Sequence, residues 1–261
     1  MSDTLNLSTE DVEAIERATL KAVAPERVDA IDGWLLPMDS GTVGRAHSAV
    51  PLHHGAHDPS LIDEVAQRYK DAGLRPVLRL PDVPAFDAWW PALAARGFRR
   101  EQPTLTQTGA LEGLLCLAPD TEGVSLEPRP DAAWMAMFLG EGLDPVDGAS
   151  RSRALSRAEG TLFGSLREGG QTVACGAACY AEGWLSMHGL RTVASQRGRG
   201  LAGRLIRAMA LEAQRRGIAR VFLQVDGANA PALALYRRAG MTTAWSYAYW
   251  RLPATATTAA G

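Results

Sequence analysis

Residues 191–205 read RTVASQRGRGLAGRL, three glycines and four arginines in fifteen positions. Successive glycines let backbone N–H groups turn toward one point, and with no Cβ a ligand can approach the chain closely. A helix-periodic run starts at Leu201, so unpaired N–H groups and the positive end of a helix dipole follow at once. Gly198, Gly200 and Gly203 with Arg197 and Arg199 thus read as an anion site, and donors spread over several residues suit a diphosphate better than one carboxylate. A helix entry flanked by surface arginines is the plainer alternative. No GxxxxGK[ST] is present, and RGRGLAG lacks the βαβ setting and following acidic residue of a dinucleotide fingerprint.

Other residue types could do chemistry beside this loop. His188 lies on the strand entering it, and regular alternation puts His188, Leu190 and Thr192 on one face, with Ser186 behind them. An imidazole there is a candidate base, and Ser186 a candidate holder of a relay water. Downstream, Asn229 can cap a short helix with Pro231 in its first turn, and Tyr236 near that helix's start offers a phenol as proton donor. Arg151, Arg153 and Arg157 stand in a polar connection and could fork onto a carboxylate, with Arg157 the position named for substrate. His53, His54 and His57 lack a second ligand cluster, so no metal is expected.

The elements that must position these groups follow from period and punctuation. Ser8 or Thr9 caps a first helix; GWLLPM and RAHSAVPL are strands; LIDEVAQRYKDAG is a helix; RPVLRL a strand; FDAWWPALAARG a helix; PTLTQTGAL a strand. Residues 117–128 are turn-rich and read as a linker. Beyond them come a helix (DAAWMAMFLGEG), the polar connection, three meander strands, the glycine–arginine loop, a helix from Leu201, the strand ARVFLQV, the helix APALALYRRAG and the strand AWSYAYWRL. The paired aromatics Trp89–Trp90 and Trp245/Tyr247/Tyr249 are expected in the core. Gly73 and Gly217, both helix stops, are 144 residues apart; Gly97 and Gly240 are 143 apart, which reads as an internal repeat in which the first half has PLHHGAHDPS in place of the loop.

Composition sets outer bounds. A chain of 261 residues with 46% hydrophobic and 21% charged residues can bury a sizeable core. A net charge of −2 excludes a general nucleic-acid binder, and no run is long and apolar enough to cross a membrane. Three cysteines, Cys116, Cys175 and Cys179, cannot all pair, and the polar N-terminus carries no secretory signal; a reduced, cytoplasmic protein is expected, with Cys175 and Cys179 as small buried hydrophobes.

Two spaced motifs carry a resemblance. Residues 197–202, Arg197-Gly198-Arg199-Gly200-Leu201-Ala202, resemble the Q/R-x-x-G-x-G/A signature of the GNAT superfamily of N-acetyltransferases, and residues 229–241, NAPALALYRRAGM, resemble its N-x-x-A-x-x-L-Y-x-x-x-G-F block. The resemblance spans residues 120–252, and the first half is similar to a degenerate copy. It implies an α/β (α+β) fold of two GNAT-like mixed sheets flanked by helices. The implied domains are a degenerate one over residues 1–116, a catalytic one over residues 120–252 and a disordered tail over residues 253–261. By the same resemblance the amides of Arg197, Gly198, Arg199, Gly200, Leu201 and Ala202 hold the pyrophosphate of acetyl-CoA, Leu190 and Thr192 serve its pantetheine arm through the backbone, Asn229 touches CoA, and Tyr236 protonates the leaving thiolate. The expected partners are acetyl-CoA and a small amine, possibly an amino acid, with a monomer or homodimer as the assembly. A protein or lysine acceptor and a non-catalytic CoA-binding module are the alternatives.

Overall fold

The computed structural model describes residues 7–139 and 144–253. The expected tail and the end of the DAAWMAMFLGEG helix lie outside the described residues. Eleven strands and eight helices are described. In the first half these are α1 (Thr9–Val23), β1 (Arg27–Ile31), β2 (Trp34–Met38), β3 (Val50–Pro51), α2 (Leu61–Asp71), β4 (Val77–Pro81), α3 (Trp89–Ala95), β5 (Arg99–Ala110) and α4 (Leu111–Leu115). The second half holds β6 (Val124–Glu127), α5 (Ala132–Ala136), α6 (Pro145–Ser156), β7 (Thr161–Glu168), β8 (Gln171–Ala181), β9 (Trp184–Thr192), α7 (Leu201–Arg215), β10 (Arg220–Asp226), α8 (Ala230–Arg238) and β11 (Thr242–Arg251).

The local chemistry of these elements is direct. Ser8 and Asp11 close a capping box on α1. Gly73, Gly97, Gly217 and Gly240 follow α2, α3, α7 and α8 in left-handed conformation, the stop that an L side chain resists. RAHSAVPL is mostly irregular: a 3-10 turn over Gly44–Ala46 precedes the two-residue β3.

Two expectations about the middle of the chain are corrected. Residues 117–128 are not wholly a linker, because they end in β6, the edge strand against β7. The polar connection is largely the helix α6, started by Asp144, whose carboxylate accepts from Val146 and Asp147 N–H groups. Its period was hidden because, Leu155 apart, the residues it buries are small or polar: Gly148, Ser150, Ser152 and Ala154. Backbone contact explains why: a Cβ on Gly148 would stand 2.0 Å from the Phe138 carbonyl oxygen.

The fold is α/β with two sheets, of unequal size. A three-stranded sheet has the order β1-β2-β3, and an eight-stranded one the order β4-β11-β5-β10-β9-β8-β7-β6. The large sheet draws on both halves of the chain. β5 lies antiparallel between β10 and β11, while β11 pairs on its other edge with β4. One face of the second-half strands packs on α4 and α7, with Leu205, Ile206 and Met209 against Leu185, Met187, Val221 and Leu223. The opposite face carries α1, whose Val12 and Ile15 meet Trp184, Phe222 and Trp245. A third cluster, rich in tryptophan, joins β2, α2, β4 and α3. The histidines belong to this packing. Trp34 Nε1 donates to His57 Nδ1 (3.0 Å), His53 stacks on His57, and His54 lies edge-on to Trp245.

Under α1 sits a charged pair removed from water. Glu16 and Arg79 are 2% and 1% exposed and joined by two hydrogen bonds (2.6 and 3.1 Å), with the Arg79 guanidinium 5.1 Å from the Tyr247 ring centre. Removing one member strands the other's charge, whereas replacing both with apolar groups does not. Arg79→Met is therefore expected to cost about 3–5 kcal/mol in urea unfolding, and Glu16→Met/Arg79→Met markedly less.

Candidate functional site

The site begins where two strands part. β9 and β10 run parallel in register from Trp184↔Arg220 to Met187↔Leu223, and no pairing continues beyond. On its other edge β9 is bulged: Ala177 faces His188 and Cys175 faces Arg191, so Gly189 and Leu190 together oppose Gly176. On the β10 side their main-chain groups have no paired residue, because that pairing ends at Met187 and Leu223. Gly189 supports the bulge with a φ of +60°, and a Cβ there would stand 2.9 Å from Phe138 and 3.0 Å from Leu155.

The bulge corrects the facing read from simple alternation. Directly opposed residues share a face, and Ala177 and Cys175 are two apart, so His188 and Arg191 point the same way. Leu190 instead packs with the α7-side core. Thr192 lies beyond the bulge opposite Ala174, its carbonyl accepting weakly from Arg197 Nε (3.4 Å), and it lines neither cavity of the wedge.

The wedge opens into two adjoining cavities. One, of about 260 Å3, passes through the sheet between Met187, His188, Gln224 and Tyr236, with Asn229 at its rim. The other, of about 250 Å3, lies on the α1 and α6 side, between Phe138, Leu155 and Arg191. Both share His188, Gly189 and Leu190, together with Arg45 from the first half and Arg151 from α6. Arg45 and Gln224 were not anticipated from sequence; Gly189 carried a usable signal, since an isolated glycine inside a strand marks a bulge or a close approach.

Each anticipated side chain has a definite environment. His188 is buried, its Nε2 2.9 Å from Ser186 Oγ, which is 3.5 Å from the Cys179 carbonyl. Burial, reinforced by the Arg45 charge, pushes its pKa down to about 3, so the imidazole is neutral and weakly basic at ordinary pH. Tyr236 sits in the last turn of α8, not near its start. Its hydroxyl has no hydrogen-bond partner among the described residues, and burial raises its pKa to about 12. Asn229 caps α8, its side chain accepting from Ala232 N–H (3.2 Å), and also borders the wedge.

Arg157 is not at the site. Its guanidinium donates twice to the Ala24 carbonyl (3.0 and 3.1 Å) and pairs with the buried Asp39 carboxylate, tying the end of α6 to α1 and β2. A substrate carboxylate would have to displace both partners. Arg151 faces the cavities instead.

The loop after β9 keeps its backbone donors free. The N–H groups of residues 198–203 have no acceptor among the described residues; the first hydrogen bond of the helix is Arg204 N–H to Gly200 carbonyl. Gly198 and Gly200 both have φ of +78°, and space around them is open. Gly203 differs, since a Cβ there would meet the Leu117 carbonyl at 2.8 Å, so it serves helix packing. Leu201 is buried beneath the loop. Arg199 is held by Glu168 and Gln196, leaving Arg197 the less committed cation. Among the described residues no cluster of three His, Cys, Asp or Glu is arranged for a metal, and no helix is long and apolar enough to cross a membrane.

Residues 9–250 match the family described as "Probable histone acetyltransferase Rv0428c C-terminal". The chain belongs to this family. A curated relative, "Probable histone acetyltransferase Rv0428c" of Mycobacterium tuberculosis (strain ATCC 25618 / H37Rv), is 34% identical over 132 residues, half of this chain. The match spans about two fifths (39%) of that relative's length. Among solved structures, a GCN5-related N-acetyltransferase from Kribbella flavida superposes with a TM-score of 0.67 at 18% identity, covering 92% of this chain and 95% of its own. A tandem GNAT protein from the clavulanic acid biosynthesis pathway gives 0.56 at 14% identity, covering 94% and 96%. The family's fold is thus the GNAT fold over nearly the whole chain, including the strands of the first half.

Within this fold Gly189 is the most constrained residue of the site. Gly189→Ala is expected to lower stability by about 1–2 kcal/mol through the left-handed backbone alone, more if Phe138 and Leu155 must shift. Thermal unfolding checks the loss, and the near-ultraviolet signal of the neighbouring aromatics checks the displacement.

Proposed function

We propose that this chain transfers an acetyl group from acetyl-CoA to a small amine by direct attack, with no covalent enzyme intermediate. The observation that carries the reading is the wedge between β9 and β10, from which β9 leads into six consecutive unpartnered amides. A diphosphate fits those amides: donors converge over residues 198–203, and the positions of Gly198 and Gly200 leave room that side chains would occupy. Acetyl-CoA supplies the thioester whose acyl carbon is attacked.

The chain's residues have separable tasks. Residues 197–202 hold the diphosphate, and Asn229 borders the path toward the wedge. Main-chain groups of Gly189 and Leu190, unpaired on the β10 side, face the position where charge develops on the acyl oxygen. Tyr236 keeps its proton at working pH and donates it toward the departing sulfur. As the C–N bond forms and the C–S bond breaks, the amine's proton leaves to water, and Tyr236 regains a proton from water to complete the cycle. His188, fixed through Ser186, is a neutral wall of the cavity with its second ring nitrogen available as a hydrogen-bond acceptor.

The curated relative's name points to a lysine acceptor. Among the described residues the wedge is lined by Arg45, Arg151 and Arg191, with Asp226 in the lining and Asp147 behind Arg151, a cationic balance that disfavours a lysine-rich tail. A small amine fits the enclosed volume better.

Gly200→Glu is expected to abolish CoA binding in calorimetry while circular dichroism stays native; unchanged affinity would place the nucleotide elsewhere. Tyr236→Phe is expected to lower kcat by roughly 10–100-fold with CoA affinity retained, as befits loss of one proton donor. Neither His188 nor Tyr236 changes protonation between pH 5 and 9. The rise of kcat/KM with pH is therefore expected to follow the ammonium pKa of whichever acceptor is used, shifting when two amines of different basicity are compared.

A further inference from the structure

Three arginines converge on the α1 and α6 side of the wedge. Arg45 comes from the 3-10 turn before β3, Arg151 from α6, and Arg191 from β9 just past the bulge. Buried or enclosed cations are expected to have anionic partners. Here the pairing is incomplete. Arg45 makes no hydrogen bond or ion pair among the described residues, and its Nε is buried without an acceptor. Arg191 Nε is likewise buried and unpartnered, its guanidinium lying 4.6 Å from the Phe138 ring centre. Arg151 is bound by Asp147 (2.6 Å) through one edge only, and Thr42 Oγ1 takes that carboxylate's other oxygen (2.7 Å). Among the described residues, Asp147 on Arg151 and Asp226 in the lining of the adjoining cavity are set against three guanidiniums. Like-charge proximity is felt inside the group, since burial first and then Arg151 lower the Arg191 pKa.

We infer that the acceptor amine carries a carboxylate, held between Arg45, Arg151 and Arg191 while its nitrogen faces Gly189 and Leu190. This rests on the acetyltransferase reading of the same wedge and adds the substrate's second functional group. The three cations line the cavity that also contains the bulge, about 250 Å3 in all. Amine and anion must therefore belong to one small molecule. Planar guanidiniums match a carboxylate through paired N–H donors, and in an enclosed setting such bonds are stronger than in water. The bulge is part of this recognition, because without its extra residue Arg191 would point to the α7 side. Arg45 brings the first half of the chain into the choice of substrate.

The test is a matched panel with acetyl-CoA, read as thiol release: glycine, L-leucine and L-glutamate against glycinamide and L-leucinamide, with aminomethylphosphonate and a basic lysine peptide added. The wild type is expected to favour each amino acid over its amide by about tenfold or more in kcat/KM, the scale of one charge-assisted hydrogen bond. Arg45→Gln is expected to narrow that ratio, chiefly through KM. It should also weaken calorimetric binding of N-acetylleucine to the CoA-loaded protein, with CoA affinity itself retained. Arg191→Gln, which does not touch the Arg151–Asp147 pair, gives an independent second variant. Preference for the amides or the lysine peptide, or an unchanged ratio in both variants, overturns the inference while leaving acetyl transfer standing. Preference for the phosphonate over glycine overturns the carboxylate assignment. Failure of the wild type to bind CoA overturns the acetyltransferase reading, and this inference with it.

Discussion

The site depends on β9 and β10 separating after Met187 and Leu223 without the sheet coming apart. A parallel pair that stops in mid-sheet leaves backbone groups unmatched, which an interior tolerates only if the strands are anchored elsewhere. β10 is anchored on its other edge by β5, in unbroken register from Arg220↔Ala110 to Asp226↔Thr104. β9 is anchored by β8 and bends away through the bulge at Gly189. The wedge is thus a fault held open by its neighbours. Because β5 belongs to the first half, the cavity is shaped by residues more than a hundred positions away in sequence.

Charge is handled in opposite ways at two buried places. Beneath α1, Arg79 faces a carboxylate of its own, joined to Glu16 by two hydrogen bonds. In the wedge the guanidiniums of Arg45 and Arg191 are packed beside an apolar ring and a neutral histidine, with less negative charge than they need. Evenly satisfied charge stabilises one packed arrangement, whereas unsatisfied charge beside a cavity stores affinity for something that enters it. His188 shows the same field acting on a titratable group. Its enclosure and the nearby Arg45 keep it neutral, which suits a cavity wall better than a proton carrier.

Much was legible in the sequence because it rested on short-range rules. Glycine stops, the Ser8 cap, the meander strands and the loop into α7 are set within a few residues, and the structure has them at the expected places. The loop's three glycines looked alike in sequence, and only the structure separates them: Gly198 and Gly200 stand in open space, while Gly203 is filled by packing. What escaped was set over longer distances. The helical period of α6 vanished because Gly148, Ser150, Ser152 and Ala154 are buried for closeness of approach rather than for hydrophobicity. Arg157 looked available because nothing nearby in sequence revealed Ala24 and Asp39 as its partners. The faces of Leu190 and Thr192 relative to His188 were misread because alternation was carried through a glycine that breaks it.

The pairing of β5 with β11 and β10 also governs the order in which the molecule can form. β4 and β5 precede their partners β10 and β11 by more than a hundred residues, so the edges that β11 fills stay open until β11 has been made. Contacts of such long range close slowly and late. The stretch PTLTQTGA in β5, flanked by the charges of Arg99, Arg100 and Glu101, must therefore wait in an open state without finding a foreign strand. The same interleaving of strands that holds the wedge open leaves between β4 and β5 a gap that β11 alone fills, so the two early strands are joined only through a late one.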